Sequence, residues 1–298
     1  MKKLLFIAII ITTLISSKAI AQPFADVVNF STQTFSSPYK DTARWKNKTD
    51  SYYLNLFFPK EFKNGNVLLI RINSELMNAT FKPDSSYSSK LAYVSVPLGF
   101  QFLSKNKKWK TVTMVIPKIA SDFKGTVNDK DFQLGGIVLE NYIVNEKLKI
   151  KAGLYYNREA FGDFYMPLVG VDWAATGRIN FYGILPTNYK VEFNLVRNKL
   201  YTGLNFKSFT RSFRLSQQEN YDYVRYNEIQ LKLFVDYFIY KKLLLFGEVG
   251  YSIGKSPLLY KYNTKDEVFY NPIYMPLKPY PAFNVGIAYR IRTDLMKE

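Results

Sequence analysis

The sequence predicts an all-β protein, a single closed antiparallel transmembrane β-barrel of roughly 12–14 strands, on three observations. Segments in which apolar residues alternate with polar or small ones recur along the chain, as in β-strands. Beyond residues 1–21, no apolar run approaches the roughly 20 residues that a transmembrane helix needs. The chain is also aromatic, with 24 Tyr, 24 Phe and 3 Trp, as barrels with interfacial aromatic girdles are.

Residues 1–21 have the pattern of a cleaved signal peptide. Lys2 and Lys3 precede an apolar run over residues 4–15, and Ala19-Ile20-Ala21 forms a small-x-small cleavage site. The run is too short for a membrane anchor. We therefore expect cleavage after Ala21 and export. No linker divides the remainder, so residues 22–298 are predicted to form one domain, the barrel.

Alternation is clearest in residues 229–239 and 243–253, which a three-residue link joins. In both segments the odd positions are mainly apolar. A hairpin that pairs Ile239 with Leu243 and Val235 with Gly247 brings the two apolar faces together. A slip by one residue would turn one strand over, so the pattern predicts this register.

Polar links of two lengths set the predicted strand count. Short links lie near residues 64–65, 105–108 and 145–147, and longer polar stretches lie at 37–48, 82–89, 122–130, 215–221 and 257–281. Short turns at one end and long loops at the other place both termini on the short-turn side. This arrangement gives about 14 strands, an even number as expected for such barrels. The two-residue link at Thr187-Asn188 leaves a count of about 12 open.

A β-sandwich or a lipocalin-like fold would also alternate, so strand length and composition decide between the architectures. The predicted strands are about ten residues long, whereas strands of soluble proteins average about five or six. Aromatic residues gather near their ends, and the less apolar face is rich in Gly, Asn and charged residues. These features favour a lipid-embedded barrel around a lined lumen, which must be closed to satisfy its backbone.

The last predicted strand, residues 282–292, alternates in the same way. Its odd positions are expected to face lipid and its even positions the lumen, with Arg292 near the periplasmic rim; the lipid-facing set is Phe283, Val285, Ile287, Tyr289 and Ile291. Many outer-membrane barrels end on an aromatic residue that the outer-membrane assembly machinery recognises. Here a charged tail, residues 293–298, follows, so recognition by that machinery requires an internal signal.

The residue types present exclude several kinds of chemistry. The chain has no cysteine and no histidine, which removes thiol chemistry and the commonest general base and zinc ligand. Serines such as Ser95, Ser208 and Ser252 therefore have no imidazole base. Acidic residues near Phe161-Gly162 are read as solvated turn residues. We predict that the protein is not an enzyme and uses no cofactor or metal.

Charge indicates the kind of partner. The formal net charge is +17, and a basic exported protein is expected to meet outer-membrane lipid headgroups, lipopolysaccharide phosphates or anionic solutes rather than nucleic acid. Charged residues also fall on the predicted lumen face, where they form either an anion-favouring pore or acidic-ligand site, or ion pairs that fill the interior. These residues are Lys149, Lys151, Arg178, Lys190, Glu192, Lys232, Asp236, Glu248, Arg290 and Arg292.

Short motifs add a resemblance. YMPLVGVDW (165–173), INFYGILP (179–186) and YKVEFNLVRNKLYTGLNF (189–206), with an earlier echo in VSVPLGFQF (94–102), resemble an outer-membrane β-barrel family of unknown function from Gram-negative bacteria. In that family a Pro-Leu-x-Gly strand precedes an aromatic strand ending in Leu-Pro. The resemblance extends from about residue 90 to the C-terminus. It implies an outer-membrane location and no particular activity.

Two functions follow as hypotheses. The first is a porin-like barrel that binds or passes a small, anionic solute through a narrow lumen. The second is a structural or envelope-interaction barrel whose lumen is occluded and whose long loops bind a partner. An outer-membrane enzyme is disfavoured by the missing histidine.

Overall fold

The computed structural model describes residues 24–38, 46–82, 89–159, 161–216, 222–253, 255–263, 268–274 and 277–292. The predicted signal peptide, residues 1–21, and the charged tail, residues 293–298, lie outside the described residues. Within the described ranges, no helix is long and apolar enough to cross a membrane.

The described chain is built of β-strands, with a single turn of 3-10 helix at Asp129–Asp131. The β-segments are β1 (Phe24–Pro38), β2 (Lys46–Glu61), β3 (Val67–Lys82), β4 (Ser89–Ser95), β5 (Leu98–Leu103), β6 (Trp109–Ser121), β7 (Phe132–Ile143), β8 (Leu148–Glu159), β9 (Gly162–Ala174), β10 (Ile179–Leu185), β11 (Asn188–Val196), β12 (Leu200–Arg214), β13 (Tyr223–Tyr240), β14 (Leu243–Ser252), β15 (Lys255–Asn263), β16 (Val268–Tyr274) and β17 (Tyr280–Arg292).

The 17 segments form 14 strands, because three strands are each interrupted once. Segments β4 and β5 both pair with β3 and β6. Segments β14 and β15 both pair with β13, and they pair in turn with β17 and β16. Every strand is antiparallel to its neighbours in the chain, and β17 pairs with β1 to close the barrel. The predicted fold class, a closed antiparallel transmembrane-type barrel, is confirmed at the upper predicted strand count.

The hairpin of β13 and β14 shows how the alternation determines the register. Val235 lies opposite Gly247, as predicted from their faces. The pairing departs from the prediction only at the turn, where a bulge between Phe238 and Tyr240 gives Leu243 the partner Tyr240 instead of Ile239. The register prediction is therefore confirmed along the strand, and the bulge accounts for the change at its end.

The outer face of the barrel is apolar. Side chains that point outward are exposed along most strands; in β13 and β17 they are Ile229, Leu231, Leu233, Val235, Tyr237, Ile239, Phe283, Val285 and Ile287. The prediction that Ile291 belongs to this set is wrong, since it is 1% exposed. It lies beside a bulge between Asp26 and Val28 of β1, which breaks the alternation at that end of β17.

One part of the barrel wall is shorter than the rest at the end that carries the long loops, which we call the loop end. Strands β10 and β11, of seven and nine residues, are joined there by Pro186 and Thr187. Their neighbours β9 and β12 are longer, with 13 and 15 residues. Pairing between β11 and β12 stops at Lys207. The last seven residues of β12, from Ser208 to Arg214, therefore lack a neighbour in β11.

Candidate functional site in the barrel interior

The last seven residues of β12 stay paired with β13, but their other edge crosses the interior and meets β6 and β8. Arg214 pairs in parallel with Ser121 of β6, and its carbonyl accepts a hydrogen bond of 2.9 Å from the Asp122 amide. The Ser212 amide and hydroxyl both donate to Glu159 of β8. Because β6 and β8 are far from β12 along the barrel wall, these contacts place the end of β12 across the lumen.

Apolar side chains fill the lumen around this crossing segment. Phe213 of β12 is 0% exposed and lies among residues from seven other segments and from the links after β12 and before β17. Together with Phe213 the cluster consists of Phe35, Met77, Ala79, Leu91, Ala120, Leu215, Val224, Tyr226, Leu259, Leu277 and Tyr280. We call this cluster the apolar plug. It fills the interior at the loop end with packed side chains.

A charged cluster lies next to the plug. The Arg211 guanidinium of β12 is bound by Glu75 of β3, lies 3.5 Å from Glu228 of β13, and donates to the Tyr53 hydroxyl at 3.2 Å. The Glu228 carboxylate also accepts hydrogen bonds from Gln230, Ser252 and Tyr280. One arginine thus joins β12 to strands that lie elsewhere around the barrel.

A second group of charges is centred on Glu248 of β14. Its carboxylate lies 2.8 Å from Lys232 Nζ and 3.4 Å from Lys207 Nζ. The amides of Asn205 and Asn284 donate to it at 2.5 and 3.0 Å. Glu248 and Lys232 are both buried, so the pair is compensated by direct contacts instead of by water.

Three further cations, Arg290, Arg292 and Lys151, are paired with carboxylates at the end with the short turns. Arg290 donates to Asp26 at 2.5 and 2.9 Å and is also bound by Asp236. Arg292 pairs with Glu192, at 2.6 and 3.1 Å, and Lys151 pairs with Asp172, at 2.6 Å. Lys190 instead has its Nζ 4.3 Å from the centre of the Phe234 ring, a cation–π contact.

The structure places most of the predicted lumen charges in the interior. Lys151, Lys190, Glu192, Lys232, Asp236, Glu248, Arg290 and Arg292 are buried, and Lys149 is half-buried. Arg178 is the exception, because it lies in the exposed turn between β9 and β10, one residue before β10 begins. Most of the cations pair with carboxylates, so these residues form interior ion pairs, not a ring of free positive charge.

The wall from β3 to β9 has a different inner face. Two rows of residues run across these segments, and in each row every residue lies opposite the next. The first row consists of Leu69, Gly99, Met114, Ile137 and Tyr155. The second row, two residues along each strand, consists of Val67, Gln101, Val112, Leu139, Gly153 and Leu168. Their neighbours in sequence point outward: Val115 is 54% exposed and Val138 is 53% exposed. By alternation, the two rows point into the barrel, and they are largely apolar.

This apolar inner wall borders unfilled space. In the row from Leu69 to Tyr155 the inward side chains are half-buried, as are Val112 and Ile116, whereas Val67, Gln101, Leu139 and Leu168 of the second row are buried. An inward side chain in a packed interior would be buried, as those of the apolar plug and of Glu248 and Lys232 are. We therefore place the open part of the lumen along β3 to β9.

Arg71 lies at the edge of this apolar wall and was missed from the sequence. It follows Leu69 by two residues and so shares its inward face. The guanidinium carbon lies 3.9 Å from the centre of the Phe57 ring, and the guanidinium makes no hydrogen bond or ion pair with any residue in the described ranges. The alternation of Val67, Leu69 and Arg71 carries the signal that could have revealed it.

Residues 60–290 match a family described as a domain of unknown function, DUF6268. The chain belongs to this family. The short motifs predicted membership of a family of unknown function. That these particular motifs are a signature of the family stays a prediction. A comparison of this DUF6268 chain with the curated proteins finds no match.

Solved barrel structures are similar to the DUF6268 chain at low identity. An outer-membrane channel from Pseudomonas putida F1 is 11% identical, with a TM-score of 0.44, and the match covers 90% of this chain and 96% of that one. The TodX monoaromatic hydrocarbon channel, as a mutant, is 10% identical with a TM-score of 0.44, covering 94% of each chain. The translocator domain of the autotransporter NalP from Neisseria meningitidis is 9% identical with a TM-score of 0.40, covering 94% and 91%. At these identities and TM-scores the similarities say nothing about what this chain binds.

Proposed function

We propose that the protein is an outer-membrane β-barrel that binds or passes a small solute through a narrow lumen along β3 to β9. The observation that carries the proposal is the half-buried state of Leu69, Met114 and Ile137, which point into the barrel. Glu248 and its ion-pair partner Lys232 are buried by comparison. The passage is therefore off-centre, and only a small solute fits beside the filled half.

The outer face supports the outer-membrane location. Exposed aliphatic and aromatic side chains on β13 and β17 form a surface suited to lipid tails. Closure between β1 and β17 removes the sheet edges, whose unpaired backbone groups lipid does not tolerate. Export by the predicted signal peptide, contact with lipopolysaccharide and recognition by the assembly machinery belong to the same proposal.

The proposed role is passage or binding, not catalysis. The chain contains neither histidine nor cysteine, and the Ser252 hydroxyl donates a hydrogen bond of 2.8 Å to the Glu228 carboxylate. A preference for anions would come from cations that lack a carboxylate partner, because the paired cations present little net charge to a solute.

Conductance in planar lipid bilayers tests the passage. We expect small conductance steps from the wild-type protein. Met114→Trp adds bulk on the inner wall and should lower the conductance at least about twofold. The matched control is Val115→Trp, the next residue on the same strand, which points outward and should leave the conductance unchanged. Equal effects of the two substitutions would contradict the proposed position of the passage.

A second function is supported by the apolar plug. Phe213 and its neighbours fill the interior at the loop end, as an occluded barrel whose loops bind a partner would require. The same bilayer measurement separates the two functions: a folded wild-type protein that shows no conductance at any voltage favours the occluded barrel.

A further inference from the structure

We propose that the open side of the lumen binds a small amphiphilic carboxylate, with its carboxylate on Arg71 and its apolar body against Leu69, Met114 and Ile137. The inference rests on the proposed lumen along β3 to β9 and adds the chemical class of its ligand. Three features of the described residues carry it, namely the free charge of Arg71, the orientation of its guanidinium, and the apolar surface beside it.

Arg71 differs from the other interior arginines in having no counterion among the residues that the structure describes. Arg211, Arg290 and Arg292 each lie against a carboxylate. The carboxylate that acts electrostatically on Arg71 is that of Asp26, which Arg290 already binds through two hydrogen bonds. A cation that has lost part of its hydration without gaining a partner is unfavourable, so an incoming anion would relieve that cost.

Stacking holds the Arg71 guanidinium ready for a planar anion. Phe57 lies directly opposite Arg71 on β2, with its ring centre 3.9 Å from the guanidinium carbon. A guanidinium stacked on a ring leaves the N–H groups along its edge free to donate. Two such parallel donors match the two oxygens of a carboxylate. The contact therefore favours a carboxylate that lies in the plane of the guanidinium.

The surface beside Arg71 fits an apolar body. Leu69 lies about 7 Å along the strand from Arg71, and Gly99, directly opposite Leu69, has no side chain to cover it. A Cβ at Gly99 would lie 3.0 Å from Met114 Cε, so the flexible thioether chain lies over this glycine. Ile137 continues the apolar row beyond Met114. An inorganic anion would leave this surface unused, whereas a carboxylate with an apolar body would cover it.

Binding of benzoate to the full-length protein in detergent, followed by isothermal titration calorimetry, tests the inference. Benzamide has the same ring without the charge, and acetate has the carboxylate without the ring. We expect benzoate to bind at least about tenfold more tightly than either, since each control lacks one of the two interactions. If acetate and benzoate bind with equal affinity, the apolar surface does not contribute to binding. The inference of an amphiphilic ligand is then overturned, and the site is a simple anion site.

Substitutions connect the binding to the named residues. Arg71→Gln should raise the Kd for benzoate at least about tenfold. The matched control is Arg225→Gln, because Arg225 also stacks on a ring, that of Phe161 at 3.8 Å, but lies near the loop end of β13; its Kd should equal that of the wild type. An unchanged Kd in a folded Arg71→Gln protein overturns the inference.

A second pair of variants keeps the test decisive if Arg71→Gln does not fold. Met114→Trp should abolish benzoate binding and Val115→Trp should preserve it, and binding in both would overturn the inference. Gel mobility before and after heating reports whether each variant is folded. If the protein binds benzoate but shows no conductance, the proposed passage is refuted and the carboxylate site stands. If it conducts but does not bind benzoate, the carboxylate site is refuted and the passage stands.

Discussion

The two halves of the barrel wall share an apolar outer face but differ inside. From β10 through β17 to β1, inward charges are buried and mostly paired, as around Glu248 and Arg290. From β3 to β9, the buried Lys151–Asp172 pair lies at the short-turn end, but apolar inward residues such as Met114 and Ile137 are only half-buried. Lipid requires an apolar side chain at every outward position. The environment of each inward side chain depends instead on which residues lie across the lumen. An interior can therefore be filled on one side and open on the other while the strands alternate alike.

The largest expected effect comes from neutralising Glu248, the carboxylate at the centre of an ion-pair group in the filled half. Glu248→Gln leaves Lys232, which is buried, without its counterion. We expect a loss of about 3–5 kcal/mol in the free energy of unfolding, because a single buried charge remains. Urea unfolding in lipid vesicles measures it, with Asp129→Asn, at an exposed residue, as the control. A loss below about 1 kcal/mol would mean that water compensates Lys232.

A smaller effect is expected from removing the centre of the apolar plug. Phe213→Ala should cost about 3–4 kcal/mol of unfolding free energy, because it leaves a cavity among packed side chains, and it should raise the bilayer conductance. Phe283→Ala removes the same ring from the lipid-facing side of β17 and should not change the conductance. If neither variant alters conductance, the plug does not limit passage.

The smallest effect is expected at Arg178, which the sequence placed among the lumen charges. Arg178→Ala should change the free energy of unfolding by less than about 0.5 kcal/mol, since the residue lies in an exposed turn. The reversal potential in a salt gradient should equal that of the wild type. A shifted reversal potential would place Arg178 at the mouth of the passage and weaken the contrast between the two halves.

The path of β12 shows why part of the site escaped prediction. In the first half of β12 the even positions point outward and include Leu204 and Phe206, but towards its loop end the even positions are Ser208, Thr210 and Ser212. This change to polar residues signals that the upper part leaves the lipid-facing wall. It does not say where the segment goes, because its partners Ser121 and Glu159 are distant in sequence. The plug and the Arg211 cluster were therefore outside the reach of sequence reasoning.

By itself, the sequence determined the barrel, the register of the β13–β14 hairpin and the inward faces of most charged residues. These properties follow from a period of two residues and from links of a few residues, which are local. Only the tertiary structure decided which carboxylate meets which cation, which half of the lumen is filled, and that Arg71 has no counterion among the described residues. Those outcomes depend on the closure of β1 against β17 and on the crossing of β12, which bring together residues more than a hundred positions apart.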